Sequence, residues 1–509
     1  MYELGVLDKE CRQLCDGIYS KKDTDAISRA LAFAYNAHQG QQRKSGEPYI
    51  IHPFGVAVLL ISLRFDAPTV QAGLLHDVPE DTTITLQEIS RSFGKQVAQL
   101  VDGITKLARV RFKKAWFWFG PPRAQELPAF ERQAETLRKM ILAMSKDIRV
   151  VFIKLADRLN NMRTLDAISQ DKQIRISQET LEIYAPIADR LGIGQWKGEL
   201  EDLAFPYIYP KEAQLVQSLV GKELRRRQQD AQKARKLLYK FLTKEHIPTL
   251  DIHSRIKHRY SFWKKYEKYG RDMSKICDLV ALRVIVPTEK DCYTTMGAIH
   301  THWKPLPGRI KDYIAHPKPN GYQSLHTSVS GPSGHVFEIQ MRTQEMHLES
   351  EVGVALHWHY AEEKNKGRRF SLKNPARIPK SKLEWIRELA AWQKNITDAK
   401  HYQNDITYKF FKNRIFVFTP QGDVRELPEN ASPIDFAYAI HTEVGNHCVG
   451  AKVNGKMMRL DTKLSSGDVV EIRTQKNASG PKQDWLTLVQ SSAARQRIRS
   501  ILNKRKRMQ

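Results

Sequence analysis

Hydrophobic residues recur at helical spacing in segment after segment over residues 1–200, as in AISRALAFAYNAHQ and KQVAQLVDGITKLA, and from about residue 250 that period is lost. In its place come short β-branched runs bounded by Gly and Pro, among them ICDLVALRVIV, TSVSG and HVFEIQMRT. One core cannot serve both patterns, and 509 residues exceed what one core supports, so roughly three or four domains are expected. The expected order is an all-α domain over 1–200, a charged helical connector over 201–249 and an α/β domain over 250–365. A basic, then helical linker over 366–405 follows, then a small β-grasp-like unit over 406–474 around one helix, SPIDFAYAIHTEV, and the start of a helical region over 475–509. The segment RFKKAWFWFGPPRAQELPAF, at about 111–130, interrupts the first block and reads as a loop that packs on its own domain or on a partner.

Lys and Arg number 82 against 56 Asp and Glu. A formal charge of +26 creates a field that favours polyanions: nucleotides, RNA or an anionic membrane surface. No stretch approaches the roughly 18 apolar residues of a membrane span, and MYELGVLDKE has neither a basic n-region nor an apolar h-region, so a cytoplasmic protein is expected. The 5 cysteines are scattered and odd in number, which argues against a disulfide framework. Cys11 and Cys15, one helical turn apart, read as buried thiols.

Three helical segments of the first block supply ligand-type side chains: His52 in YIIHP, His76 and Asp77 in LLHDVPED, and Asp157 in KLADRLNNMRT. Two imidazoles and two carboxylates suit a borderline-hard divalent ion, manganese or iron, in a site that keeps water. Water held by such an ion is a hydrolytic nucleophile. HQGQQRKSGEPYIIHP, LLHDVPEDT and KLADRLNNMRTL together resemble the HD hydrolase motifs of the RelA/SpoT homologue family. The resemblance implies Mn2+ held by His52, His76, Asp77 and Asp157, with Glu80 and Asp81 handling the attacking water and its proton. It also implies that Arg43, Lys44, Ser45, Asn161 and Thr164 hold the guanine nucleotide. Two departures from the family pattern stand out. Pro79, between the His-Asp and Glu-Asp pairs, removes an amide donor and disfavours helix at Val78, which would misplace Glu80. Asn160 stands where the family commonly has histidine.

In the second block, SRIKHRYSFWKK presents Arg255, Lys257, Ser261 and Lys265 within about three helical turns. Asp278 stands at the start of a strand and Glu338 within another. Cations around a triphosphate, a carboxylate for magnesium and a base for the attacking hydroxyl are what pyrophosphoryl transfer needs. GRIKDYIAHPKPNGYQSLHTSV is similar to the synthetase signature of the same family. The resemblance implies that Arg255, Lys257, Ser261 and Lys265 hold ATP, that Asp278 binds Mg2+, and that Glu338 aids Mg2+ binding and activates the acceptor 3′-hydroxyl. Lys318, Asn320, Tyr322 and His326 match acceptor-side positions, with Tyr322 stacking on guanine. Arg309 and Lys311 match the basic form of a loop that accompanies both activities.

The third unit resembles a TGS domain over YKFFKNRIFVF through DVVEIRT, which implies contact with deacylated tRNA on the ribosome, with His441 implicated. The resemblance therefore implies an all-α HD-type hydrolase domain, an α/β nucleotidyltransferase-like synthetase domain and a β-grasp TGS domain. The expected function is transfer of pyrophosphate from ATP to the 3′-hydroxyl of GDP or GTP, and hydrolysis of the 3′-diphosphate of (p)ppGpp. Two other readings stay open: a synthetase whose upstream domain is only regulatory, and a ribosome- or tRNA-binding module without turnover. The sequence leaves the oligomeric state and the choice of GDP or GTP open.

Overall fold

The computed structural model describes residues 3–108, parts of 136–147, and 148–353 and 414–508 apart from isolated positions. The aromatic segment at 111–130, the linker at 366–405 and the strand expected in ITYKFF lie outside the described residues. The chain forms two units, Met1–Lys394 and Asn395–Gln509.

The first unit opens with α1 (Leu4–Cys15), α2 (Lys21–Ala37), α3 (Ile51–Ser62), α4 (Ala67–Leu75), α5 (Val78–Asp81), α6 (Leu86–Phe93) and α7 (Lys95–Ala108). It continues with α8 (Arg149–Arg163), α9 (Gln170–Glu179), α10 (Ala185–Arg190), α11 (Gly194–Ile208) and the long α12 (Pro210–Lys244). Helix starts follow from local chemistry: the Ser20 hydroxyl accepts the Asp23 amide ahead of α2, and Thr85 with Glu88 forms a capping box on α6. α3 and α4 are apolar nearly all round and correspondingly buried, so they form the centre of the helical domain. α3 packs on α4 and α8, while α4 packs on α2 and α7. Cys11 and Cys15 are buried free thiols.

The α/β part contains β1 (Asp251–Ile256), α13 (Arg259–Lys268), β2 (Val280–Val286), α14 (Glu289–His302), β3 (Lys311–Asp312), β4 (Leu325–Ser330), β5 (Val336–Thr343) and α15 (Gln344–Val352). Its sheet runs β1-β2-β5-β4-β3, with β2 and β5 parallel and the other pairs antiparallel. β2 is buried along its whole length, the pattern of a strand covered on both faces. One expectation is corrected here, since SRIKHRYSFWKK is not one helix. Arg255 lies in β1 opposite Ala281, and the Lys257 amide donates to the Leu279 carbonyl, so pairing with β2 holds the segment extended as far as Lys257. α13 begins only at Arg259, where the Asp202 carboxylate accepts the Tyr260 amide.

The second unit contains β6 (Arg414–Phe418), β7 (Val424–Pro428), α16 (Pro433–Ile440), α17 (Thr442–Asn446), β8 (Cys448–Val453), β9 (Lys456–Met458), β10 (Val470–Thr474), α18 (Trp485–Leu488) and α19 (Ser492–Met508). A β6-β7 hairpin meets the β10-β8-β9 sheet through a parallel bridge between Phe418 and Val469. The single helix expected in SPIDFAYAIHTEV is divided at His441, which is extended and accepts the Glu443 amide on Nδ1, ending α16 and starting α17. Buried Asp435 completes a capping box with Ser432 and also accepts the Gln490 and Ser491 amides, fixing α16 to the segment before α19. No helix among the described residues is long and apolar enough to cross a membrane.

Candidate active sites

His52 sits on the first turn of α3, His76 and Asp77 at the break between α4 and α5, and Asp157 in the middle of α8. The packing of α3 on α4 and α8 brings the three segments together. His52 Nε2 lies 3.3 Å from Asp157 Oδ1 and 3.5 Å from Asp77 Oδ2, and His76 Nε2 lies 3.1 Å from Asp77 Oδ1. Ligand atoms of His52, His76 and Asp157 fall within 4.8 Å of one another, and all three side chains are buried. Each imidazole is anchored at its other nitrogen: His76 Nδ1 is 2.8 Å from the Gly73 carbonyl and His52 Nδ1 is 2.8 Å from Asn160 Oδ1. Both of those oxygens accept, so each Nδ1 carries the proton and each Nε2 faces the cluster, as at histidine metal sites. His76 Nε2 is buried without a hydrogen bond, which a divalent cation would remedy. The donor set fits such an ion.

Burial favours neutral His52, but hydrogen bonding and charge from Asp157 outweigh it and raise the imidazole above its usual range. Burial likewise opposes ionisation of Asp157, yet the Lys154 ammonium at 2.6 Å and the His52 imidazole hold it well below the usual carboxylate range. Asn161 Nδ2 donates to the same carboxylate, and Arg43 in turn donates to Asn161 Oδ1. Thr164 closes α8. Lys44 and Ser45 are exposed on the loop before α3, and Glu80 and Asp81 are exposed on α5. The Tyr49 hydroxyl lies 2.9 Å from Asp77 Oδ2 and 2.7 Å from Asp81 Oδ2, so it bridges the two carboxylates. Burial, then the two carboxylates, push that phenol up. Pro79 does not displace the turn. It falls in the first turn of α5, where its missing amide would have had no helical partner, and the Glu80 and Asp81 amides both reach the Asp77 carbonyl.

In the α/β domain Asp278 precedes β2, and both the Lys257 and Lys265 ammoniums bond its Oδ2, Lys257 at 2.6 Å. Burial lowers Lys257 to about 8, while Asp278 stays ionised below its usual range, because the two lysines outweigh its burial. Glu338 lies on β5 opposite Ala281 of β2 and Ser328 of β4. Burial opposes its ionisation, but His326 Nδ1 at 3.3 Å and the Gln340 amide at 2.9 Å outweigh it and hold the carboxyl well below its usual range. The Tyr322 hydroxyl is 2.9 Å from His326 Nε2, and the Lys318 ammonium lies 4.6 Å and 4.9 Å from the Tyr313 and Tyr322 ring centroids. Burial lowers Lys318 to about 8. Two carboxylates with hard oxygen donors fit magnesium, which takes few protein ligands and completes its shell with water and phosphates. Arg309 is half-exposed before β3, and Lys311, in β3, is exposed.

A cavity of about 300 Å³ adjoins these groups, lined by Arg255, Ser261, Lys318, Asn320 and Tyr322, and by Arg283 of β2. Its opposite wall comes from α10 and α11. The Ser261 hydroxyl donates to Glu201 at 3.3 Å, and Asn320 Nδ2 donates to the Asp189 carbonyl at 3.4 Å. Gly353, at φ +64°, lets α15 end against this wall; a Cβ there would stand 2.3 Å from the Leu191 carbonyl oxygen.

Sequence reasoning missed Tyr49, Lys154, Arg283 and Gln340 and did not see what Asn160 does. Lys154 is three residues before Asp157, one turn away on α8, Tyr49 is three before His52 in the turn ahead of α3, and Gln340 is two after Glu338 on one strand face. That spacing was an available signal. Nothing local marks Asp189, which lines the cavity, or Glu201, which accepts from the lining Ser261 hydroxyl; both get there only through tertiary packing.

Residues 30–194 match the HD domain family, 254–365 the region found in RelA / SpoT proteins, and 415–474 the TGS domain. The chain is 41% identical over 501 residues to the bifunctional (p)ppGpp synthase/hydrolase SpoT of Escherichia coli K12, covering 98% of this chain and 68% of that protein. It is 46% identical over 487 residues to a GTP pyrophosphokinase of Myxococcus xanthus, covering 95% of this chain and 61% of the relative. It is 45% identical over 481 residues to a probable guanosine-3′,5′-bis(diphosphate) 3′-pyrophosphohydrolase of Synechocystis, covering 94% and 61%. The chain thus spans about three fifths of the length of these last two relatives. Small alarmone synthetase 2 of Bacillus subtilis is 25% identical over 33% of this chain and 88% of that one, at a TM-score of 0.23, too low to bear on the fold.

Proposed function

The chain belongs to the RelA/SpoT family, and on that premise we propose that it both makes and breaks (p)ppGpp. The convergence of His52, His76, Asp77 and Asp157 beside Glu80 and Asp81, in a chain that also carries the Asp278–Lys257–Lys265 cluster, supports the reading of two activities.

In the hydrolase direction His52, His76, Asp77 and Asp157 would hold Mn2+. When bound, that ion supplies a water of lowered pKa and stabilises charge on a phosphoryl oxygen. Glu80 and Asp81 take and return the water's proton, with Asp81 positioned by the Tyr49 hydroxyl. Arg43 and Lys44 offset phosphate charge, while Ser45, Asn161 and Thr164 orient the nucleotide. The water oxygen joins the phosphorus attached to the 3′-oxygen, that P–O bond breaks, and the 3′-hydroxyl and pyrophosphate leave.

In the synthetase direction Asp278 and Glu338 would hold Mg2+, which when bound neutralises triphosphate charge. Arg255, Lys257, Ser261 and Lys265 bind ATP. Lys318, Asn320, Tyr322 and His326 position GDP or GTP, with the guanine on the Tyr322 ring and the basic loop of Arg309 and Lys311 nearby. Glu338, ionised by its neighbours, accepts the proton of the 3′-hydroxyl as its oxygen attacks the β-phosphorus and AMP departs. The TGS domain, with His441, is assigned to the ribosome and deacylated tRNA. One assay run in both directions tests the enzymatic reading. His76→Ala/Asp77→Ala should stop release of GDP and pyrophosphate from ppGpp with manganese, and Asp278→Ala should stop AMP formation from ATP plus GTP. Wild-type rates in either variant would refute that half of the assignment.

A further inference from the structure

α12 supplies no residue of either site, yet it carries an unbalanced charge. Its inner face, with Val216, Val220, Ala231, Ala234, Leu238 and Leu242, belongs to the core of the α/β part. At 3.6 residues per turn, Arg225, Arg226, Lys233, Lys236, Lys240 and Lys244 fall within an arc of about 100° on the outer side. All six are exposed. They make no ion pair among the described residues. The two acids of this stretch lie off the arc: Glu223 is bonded to Arg227, and Asp230 is buried. Tyr239, 60% exposed, borders the stripe.

A helix face that is merely solvated interleaves signs through i,i+4 pairs; like charges at that spacing repel. Here cations recur at helical-turn spacing along about 28 Å of a rigid rod, with no ion pair among the described residues to offset them. A linear array of phosphates would offset them and release counterions on binding. A membrane surface fits poorly, because interfacial helices bury an apolar face and the apolar face of α12 is already in the core.

We propose that the outer face of α12 is a docking surface for the phosphate backbone of structured RNA, read without regard to base sequence. The choice of RNA rests on the ribosome association proposed above, but the contact is separate from the TGS domain, which lies in the other unit.

Fluorescence anisotropy of the full chain with a labelled RNA hairpin, repeated across salt concentrations, tests this. Lys233→Gln/Lys236→Gln/Lys240→Gln should weaken binding about tenfold or more at low salt and reduce the log–log salt slope by roughly 2–3. Synthesis and hydrolysis of ppGpp should stay at wild-type rates in this variant, and circular dichroism should confirm the helix content. Unchanged affinity and salt slope would overturn the proposal. So would tighter binding of duplex DNA or anionic vesicles that the same variant abolishes. If His441→Ala alone removes RNA binding while the triple variant retains it, the TGS assignment stands and the α12 surface falls.

Discussion

Asn160 gives the sharpest test of how the helical site is held. Its Oδ1 is 2.8 Å from His52 Nδ1, and through it α8 orients that ring from behind. Removing it by Asn160→Ala leaves a buried Nδ1–H without an acceptor, at a cost of about 1–3 kcal/mol. If the ring relaxes by turning or changing tautomer, the loss falls on the Nε2 face, and metal affinity drops by roughly 5- to 150-fold. Asn160→Asp keeps an acceptor for Nδ1–H and should retain most of the affinity. A second substitution reaches the same bond from the other side. A Cβ on Gly55 would stand 2.2 Å from Asn160 Nδ2, so Gly55→Ala should push the amide away and reproduce the Asn160→Ala loss. The measurement is Mn2+ titration by calorimetry on the full chain, with ppGpp hydrolysis alongside and synthesis as an internal control for folding. Wild-type Mn2+ affinity in both Asn160→Ala and Gly55→Ala would refute the orienting role.

Tyr49→Phe should lower kcat for hydrolysis by about tenfold or more by releasing Asp81, with a smaller change in Mn2+ affinity; an unchanged kcat would refute the tie between the two carboxylates. Asp278→Asn should abolish synthesis and destabilise the first unit by about 3 kcal/mol in urea, because the Lys257 and Lys265 ammoniums would face each other without their shared anion. Lys318 is lowered to about 8 and loses its charge as pH rises through that value. Acceptor-nucleotide KM should therefore climb by up to about tenfold between pH 7 and 9, and Lys318→Arg, which stays charged, should flatten the rise.

His52, Asp157 and Glu338 were legible as candidates because each sits on a regular element whose period the sequence displays, whereas His76 and Asp77 lie at a helix break and Asp278 just ahead of β2. His52 faces inward on an apolar helix, Asp157 is buried on a helix of mixed character, and Glu338 lies on a buried strand. Arg255 and Lys257 were misread because basic residues carry no periodic signal of their own. The extended backbone there is imposed by pairing with β2, twenty-odd residues away. Pro79 was read as a disturbance because proline is judged against a helix interior. The break at His76–Asp77, which turns it into a first-turn residue, exists only in the packed domain. His441 dividing one helix into two is the same kind of failure, since a side chain replaced the backbone ladder at one point.

The wall that α10 and α11 build beside the α/β cavity bears on how this protein can be cut. A boundary drawn near residue 250, where the hydrophobic period changes, leaves Ser261 and Asn320 on one fragment and their partners Glu201 and Asp189 on the other. An excised α/β fragment would retain its sheet but present the cavity as an open shelf. It would also bare the side of its core now covered by Phe205 and α12. The smallest independently useful piece therefore begins before α10, and fragments designed from motif borders alone should prove poorly soluble.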